Sequence, residues 1–196
     1  MVIGLTGGSG SGKTSALRIL QEFGARCFDA DAVYHDLLRT DAKMLAAIEA
    51  RFPGTVENGS LQRKKLGAQV FGDPEALRTL SALTHPYVVR AIEAQLDCPL
   101  AGIDAIGLFE SGLNRLCSVT VAVTAPREVR IARLIAREGV SAEYAAARID
   151  AQRSDAEFSR LCDVTLENNG TQAEFEAKCR TYFEKLLSDK GEYHGR

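Results

Sequence analysis

Residues 7–14 read Gly-Gly-Ser-Gly-Ser-Gly-Lys-Thr, a full match to G-x-x-x-x-G-K-[ST]. Glycines at 7, 8, 10 and 12 open backbone conformations closed to other residues, so successive N–H groups can turn inward around phosphate oxygens. Lys13 adds a mobile ammonium for the β- and γ-phosphates, and the Thr14 hydroxyl is placed to hold Mg²⁺. Gly8, Ser9, Gly10, Ser11, Gly12, Lys13 and Thr14 are therefore assigned to a nucleoside triphosphate. Asp29-Ala30-Asp31 is the second feature. Two residues apart in an extended segment, its carboxylates point the same way, and either can take a proton from a substrate hydroxyl or hold Mg²⁺ through water. The competing reading makes Asp31 the N-cap of the helix that follows. A third feature is the arginine stripe Arg127, Arg130, Arg133 and Arg137, spaced three or four apart and so sharing one helix face. Glu128 and Glu138 fall off that face, which leaves the guanidinium groups free to fork onto phosphoryl oxygens. His85, before Pro86, reads equally as a helix-opening or packed residue and as a substrate contact. Glu110, expected at a strand end, is open between a surface carboxylate and a substrate or metal ligand.

These residues need elements to position them. The apolar run Val2–Thr6 is a buried strand leading into the glycine loop, and Ala16, Ile19, Leu20 and Phe23 stripe the helix after it, with Gly24 at its C-cap. Further strands are predicted at about 25–28, 103–109, 118–124 and 163–167, with helical patterns between them. The fold class is therefore α/β, a five-stranded parallel sheet flanked by helices. Between the second and third strands the chain is mostly helical. Residues 41–52 carry Leu45, Ile48 and Phe52 on one face. Asp73 caps a helix that starts at Pro74 with a Leu77, Leu80 and Leu83 stripe, and Pro86 opens another with Val89, Ile92 and Leu96. Ser141 caps a further helix, and Ser154/Glu157 and Thr171/Glu174 are capping boxes. Phe175, Cys179, Tyr182 and Leu186 face the core from the last helix, and residues after about 189 are expected to fray.

At 196 residues the chain fits one α/β unit with insertions, and 45% hydrophobic with 26% charged residues is ordinary for a globular protein. A net charge of −2 gives no global cause for nucleic-acid binding, and no apolar run approaches membrane-spanning length. The five cysteines, Cys27, Cys98, Cys117, Cys162 and Cys179, are odd in number with no C-x-x-C. That argues for reduced thiols in a cytoplasmic protein without a signal peptide. His35 and His194 carry no functional signal. A monomer is the expected state.

Taken in order, these motifs resemble the dephospho-coenzyme A kinase family along nearly the whole chain. Gly4–Thr14 is similar to its GLTGGxGSGK[ST], Phe28–Leu38 to its DAD motif, Thr84–Arg90 to its HPxV motif and Leu108–Glu110 to the end of its PLLFE motif. Arg133-x-x-x-Arg137 with Arg148-x-x-x-Gln152 matches its arginine-rich lid, and Asn168-Asn169-Gly170 its C-terminal turn. The resemblance implies a P-loop kinase fold with a nucleotide core (1–31, 101–125, 161–196), a helical CoA-side insertion (32–100) and a mobile lid (126–160). It implies ATP- and Mg²⁺-dependent phosphorylation of the ribose 3′-hydroxyl of dephospho-CoA. Asp31 would then be the catalytic base, with Lys13 and Arg133 as phosphate clamps, Asn169 beside the nucleotide, and His85, Glu110 and Arg137 toward the acceptor. The chain departs from the family pattern at four places. Ile106-Gly107 replaces Pro-Leu, Arg130 stands where Gln is usual, and Phe158 replaces a common Lys.

Overall fold

The computed structural model describes residues 1–189; the tail expected to fray, His194 included, lies outside the described residues. In chain order the elements are β1 (Val2–Thr6), α1 (Lys13–Glu22), β2 (Arg26–Asp29), α2 (Ala30–Thr40), α3 (Ala42–Arg51), β3 (Val56–Glu57), β4 (Ser60–Leu61), α4 (Arg63–Val70) and α5 (Pro74–Glu93). Then follow β5 (Ala101–Asp104), a 3₁₀ turn (Leu113–Leu116), β6 (Val119–Thr124), α6 (Arg127–Glu138), α7 (Ala142–Asp150), α8 (Asp155–Leu161), β7 (Val164–Glu167) and α9 (Gln172–Asp189). Five strands form one parallel sheet in the order β2-β5-β1-β6-β7, with β1 at its centre. The α/β class is as the periodicity predicts.

The sheet is buried on both faces, as parallel sheets with helical crossovers must be. Ile3, Leu5, Val121, Val123 and Leu166 pack on α1 and α9 through Ile19, Leu20, Phe175 and Phe183. On the other face Phe28, Ile103 and Leu108 meet Val88 and Ile92 of α5. A separate cluster of Leu38, Met44, Ile48, Phe52, Leu66, Val70 and Leu80 holds α2–α5 together away from the sheet. A small fourth cluster, Leu134, Ala145 and Ile149, joins α6 to α7. Among the described residues no helix is long and apolar enough to cross a membrane.

Several expectations need correcting. The third strand runs Ala101–Asp104 rather than 103–109, so the apolar run outlasts the strand. Leu108 is fully buried from a turn beyond it, and the Thr6 hydroxyl donates to the Ile106 carbonyl at 3.0 Å. Pro86 does not open a helix but lies inside the 20-residue α5, where its missing N–H leaves the Ala82 carbonyl without the usual i+4 donor. Leu77 is 52% exposed, and Ala76 with Leu80 takes the inward positions. On α9 Phe175 and Cys179 are buried as expected, but Phe183 and Leu187 take the other inward positions, with Tyr182 and Leu186 partly buried at the edge. The hairpin β3–β4 lies outside the expected strands, although Asn58-Gly59 carries its signal: both adopt positive φ (50° and 75°), as a two-residue turn requires. The caps at Asp73, Ser141, Ser154 and Thr171 form as the sequence predicts.

Candidate active site

The C-terminal ends of β1, β2, β5 and β7 deliver site residues, as open parallel sheets do. After β1 the chain turns at Gly7, whose φ of 137° and approach to the Val123 carbonyl leave no room for a side chain; an added Cβ would lie 2.1 Å from that oxygen. The loop ends at Gly12 (φ 112°), and Lys13 opens α1. Lys13 is buried, its Nζ donating to the carbonyls of Gly7 at 2.9 Å and Gly8 at 3.4 Å. Burial lowers its pKa, and the carboxylates of Asp104 and Asp31 oppose that shift. Thr14 follows on the exposed rim.

The loop forms one wall of a cleft of about 540 Å³. Asp29, Asp31 and Asp104, from the ends of β2 and β5, form the acidic wall. Arg133 and Arg137 of α6 and Arg148 of α7 also line the cleft, with Asn168 from the end of β7. Asp29 and Asp31 do not stand together on an extended strand. Asp29 is the N-cap, accepting from the N–H groups of Asp31 at 2.9 Å and Ala32 at 3.1 Å, while Asp31 lies in the first turn of α2. The cap role weighed for Asp31 thus belongs to Asp29, which leaves the Asp31 carboxylate uncommitted to the backbone.

Asp31 also lines a second groove, of about 290 Å³, with Tyr34, Leu80, His85, Val88 and Leu113. It is the one acidic residue common to both cavities. His85 is half buried, hydrogen-bonded to the Glu110 backbone, and burial holds its pKa below the usual imidazole value. Glu110 itself is not at a strand end and lines neither cavity; its carboxylate pairs with Arg153 at 2.5 Å.

The arginine stripe is neutralised more fully than its spacing suggests: α7 and α8 supply Asp150 and Asp155, and Glu128 and Glu138 of α6, expected to fall off the face, pair with Arg127 and Arg137. Arg127 forks onto Asp150 at 2.9 and 2.7 Å. Arg130 is buried against Asp155 and Gln152, and Arg137 and Arg148 share Glu138. Arg133 donates to the Gly10 and Ser11 carbonyls and to Asn168 Oδ1 at 3.0 Å, tying the lid to the loop and the β7 turn. Ser9 lines the cleft, with its polar groups bonded to the lid. Ser11 is buried, its Oγ without a partner. In the Asn-Asn-Gly turn Asn168 is buried and donates to the Ser11 carbonyl at 2.8 Å. The Asn169 side chain turns away to Glu167, so the neighbour of the expected residue reaches the cleft. Phe158 fills the core at 1% exposure, which accounts for an apolar residue there.

Asp104 is the residue sequence reasoning missed. It ends β5 opposite Asp29, and burial pushes its pKa up to about 6, with Asp29 and Asp31 adding to the shift and Lys13 opposing it. Its signal is an acid directly after the apolar Ala101-Gly102-Ile103, hidden when the strand is drawn too far along.

A phosphate loop, a lysine at the head of the next helix, an acid ending the adjacent strand and arginines of α6 and α7 lining the same cleft define a P-loop kinase. Its solved neighbours agree: a Thermus thermophilus protein aligns over 95% of this chain and 97% of its own (TM-score 0.77, 33% identity). A dephospho-CoA kinase from Campylobacter jejuni aligns over 96% and 98% (TM-score 0.70, 25% identity). A shikimate kinase from Acinetobacter baumannii, 18% identical over 96% of this chain and 94% of its own at a TM-score of 0.56, shares the fold. The dephospho-CoA kinase family model matches residues 1–174, and a dephospho-CoA kinase from Novosphingobium aromaticivorans is 40% identical over 90% of both chains. The chain belongs to the dephospho-CoA kinase family, whose members use ATP as phosphate donor and catalyse the final step of coenzyme A biosynthesis.

Proposed function

We propose that the 540 Å³ cleft takes ATP and the adjoining groove takes the adenosine end of dephospho-CoA, with Asp31 receiving the ribose 3′-hydroxyl proton as the γ-phosphoryl group transfers. The observation that carries this reading is that Asp31 lines both cavities, because a base for phosphoryl transfer has to stand between donor and acceptor. Lys13 supplies positive charge to the transferring phosphoryl group from the loop. Arg133 and Arg137 supply it from the lid. His85 and the apolar side chains of α5 support the acceptor.

The Thr14 hydroxyl and the Asp104 carboxylate suit a Mg²⁺ that draws its other ligands from phosphate oxygens and water. Bound there, the ion would neutralise charge on the phosphates.

The test is Asp31→Asn assayed across a Mg²⁺ series. A neutral amide keeps the shape but cannot take the proton, so kcat should fall by roughly 10²-fold, the lower end for general-base catalysis, with KM for both substrates nearly unchanged. Recovery of kcat at high Mg²⁺ would move Asp31 from base to metal ligand.

A further inference from the structure

The loop residue Ser9 spends all its polar groups on the lid. Its N–H donates to Gln152 Oε1 at 2.8 Å, its hydroxyl accepts from Gln152 Nε2 at 2.7 Å, and its carbonyl accepts from Arg130 Nε at 2.9 Å. Arg130 completes the set by donating to Asp155 at 3.1 Å and to Gln152 at 3.1 Å, at 4% exposure. A buried guanidinium with a partner for each nitrogen is held in one geometry, and disturbing any contact strands a charge.

Gly8 supplies an independent observation. Unlike Gly7, Gly10 and Gly12, it does not have positive φ, so its backbone would accept alanine. What excludes a side chain is Arg130: a Cβ on Gly8 would lie 1.9 Å from one guanidinium nitrogen and 2.5 Å from the guanidinium carbon. The next glycine, Gly10, lies against the Arg130 backbone, 2.8 Å from its carbonyl oxygen by the same construction. The phosphate loop is thus moulded over one arginine that comes from the lid.

We propose that Arg130 is a positioning residue that fixes the Gly8–Gly10 segment of the phosphate loop by fastening it to the base of the lid, so that the loop is set for ATP before ATP arrives. Lid motion is then confined to residues beyond this fastening and the Arg133 contacts with Gly10, Ser11 and Asn168, the hairpin of about 135–151. The N-terminus of α6 and the segment Gln152–Asp155 stay with the core. The departure at position 130 has a purpose in this chain: arginine reaches Ser9, Gln152 and Asp155 at once, which a shorter amide cannot.

The proposal rests on the loop holding ATP, so its test combines a kinetic and a ligand-free readout. In Arg130→Gln, KM for ATP should rise about tenfold or more, with KM for the acceptor unchanged within about twofold. In the ligand-free enzyme, amide exchange at residues 8–11 should quicken while β1 and β6 keep their protection. Gly8→Ala, which forces the guanidinium aside without touching it chemically, should reproduce both effects. The double variant Gly8→Ala/Arg130→Gln should be no worse than either single change, because each breaks the same fastening. A merely structural arginine would lower the melting temperature of Arg130→Gln yet leave KM for ATP and loop exchange unchanged. That result, or additive losses in the double variant, would overturn the proposal. Faster loop exchange without a change in KM for ATP would also overturn it, while leaving the identity of the acceptor untouched.

Discussion

Asp104 carries a cost set by pH. Its folded pKa of about 6 lies above the value near 4 expected for an unfolded aspartate, so the folded state holds the proton more tightly. Stability from this group is therefore full below about pH 4 and is lost as pH rises through 6. At pH 8 the buried carboxylate costs up to about 3 kcal/mol, since each pH unit by which the proton is held more tightly is worth about 1.36 kcal/mol. Asp104→Asn should raise the melting temperature at pH 8 and leave it nearly unchanged at pH 4, while turnover falls sharply. A melting curve at the two pH values checks this, and a lower melting temperature at pH 8 would refute it. Lys13→Ala should behave differently: turnover falls by orders of magnitude with circular dichroism close to wild type. A residual rate above about a tenth would mean less than ~1.4 kcal/mol of transition-state stabilisation and would end the loop lysine's role. At this scale the sequence is informative where chemistry and backbone geometry coincide, as in the glycine loop. It is less so where a role depends on a neighbour. Asp29 takes the cap and leaves Asp31 unencumbered, and Asn168 rather than Asn169 faces inward, because of one turn's geometry that spacing alone does not encode.

Elements show the same division. Helices with explicit caps are legible to within a residue or two, since Asp73, Ser141, Ser154 and Thr171 satisfy N–H groups that must be satisfied. The end of β5 is not, because the apolar run continues into a buried turn and hydrophobicity reports burial rather than extension. The lid arginines look unrelieved in the sequence because their counter-ions, Asp150, Asp155 and Glu138, come from neighbouring helices or the helix end. The lid is accordingly held at its base and sparsely packed beyond, with only Leu134, Ala145 and Ile149 buried between α6 and α7. Hydrogen exchange in about 135–151 should be fast in the free enzyme and slow when an ATP analogue and dephospho-CoA bind together. Exchange in 127–134 should be slow in both states. Unchanged exchange across the whole stretch would make the arginine face a plain surface.

For the whole molecule, the separation of its cores matters. The α2–α5 insertion has its own apolar cluster, apart from those that pack the sheet, so its integrity can be perturbed independently. Ile48→Ala, at a fully buried position, should cost about 2–5 kcal/mol of stability and raise KM for the acceptor more than KM for ATP. Equal effects on both constants would mean that the insertion does not carry acceptor recognition. The central claim is that one chain brings an ATP cleft and an acceptor groove together at Asp31. The most direct measurement is a coupled ADP-release assay with dephospho-CoA, adenosine, AMP, CoA and shikimate offered in parallel, with the phosphorylated product mapped by NMR. The expected result is strong turnover of dephospho-CoA alone, giving coenzyme A with the new phosphate on the ribose 3′-oxygen. Equal or greater turnover of AMP or shikimate would contradict it.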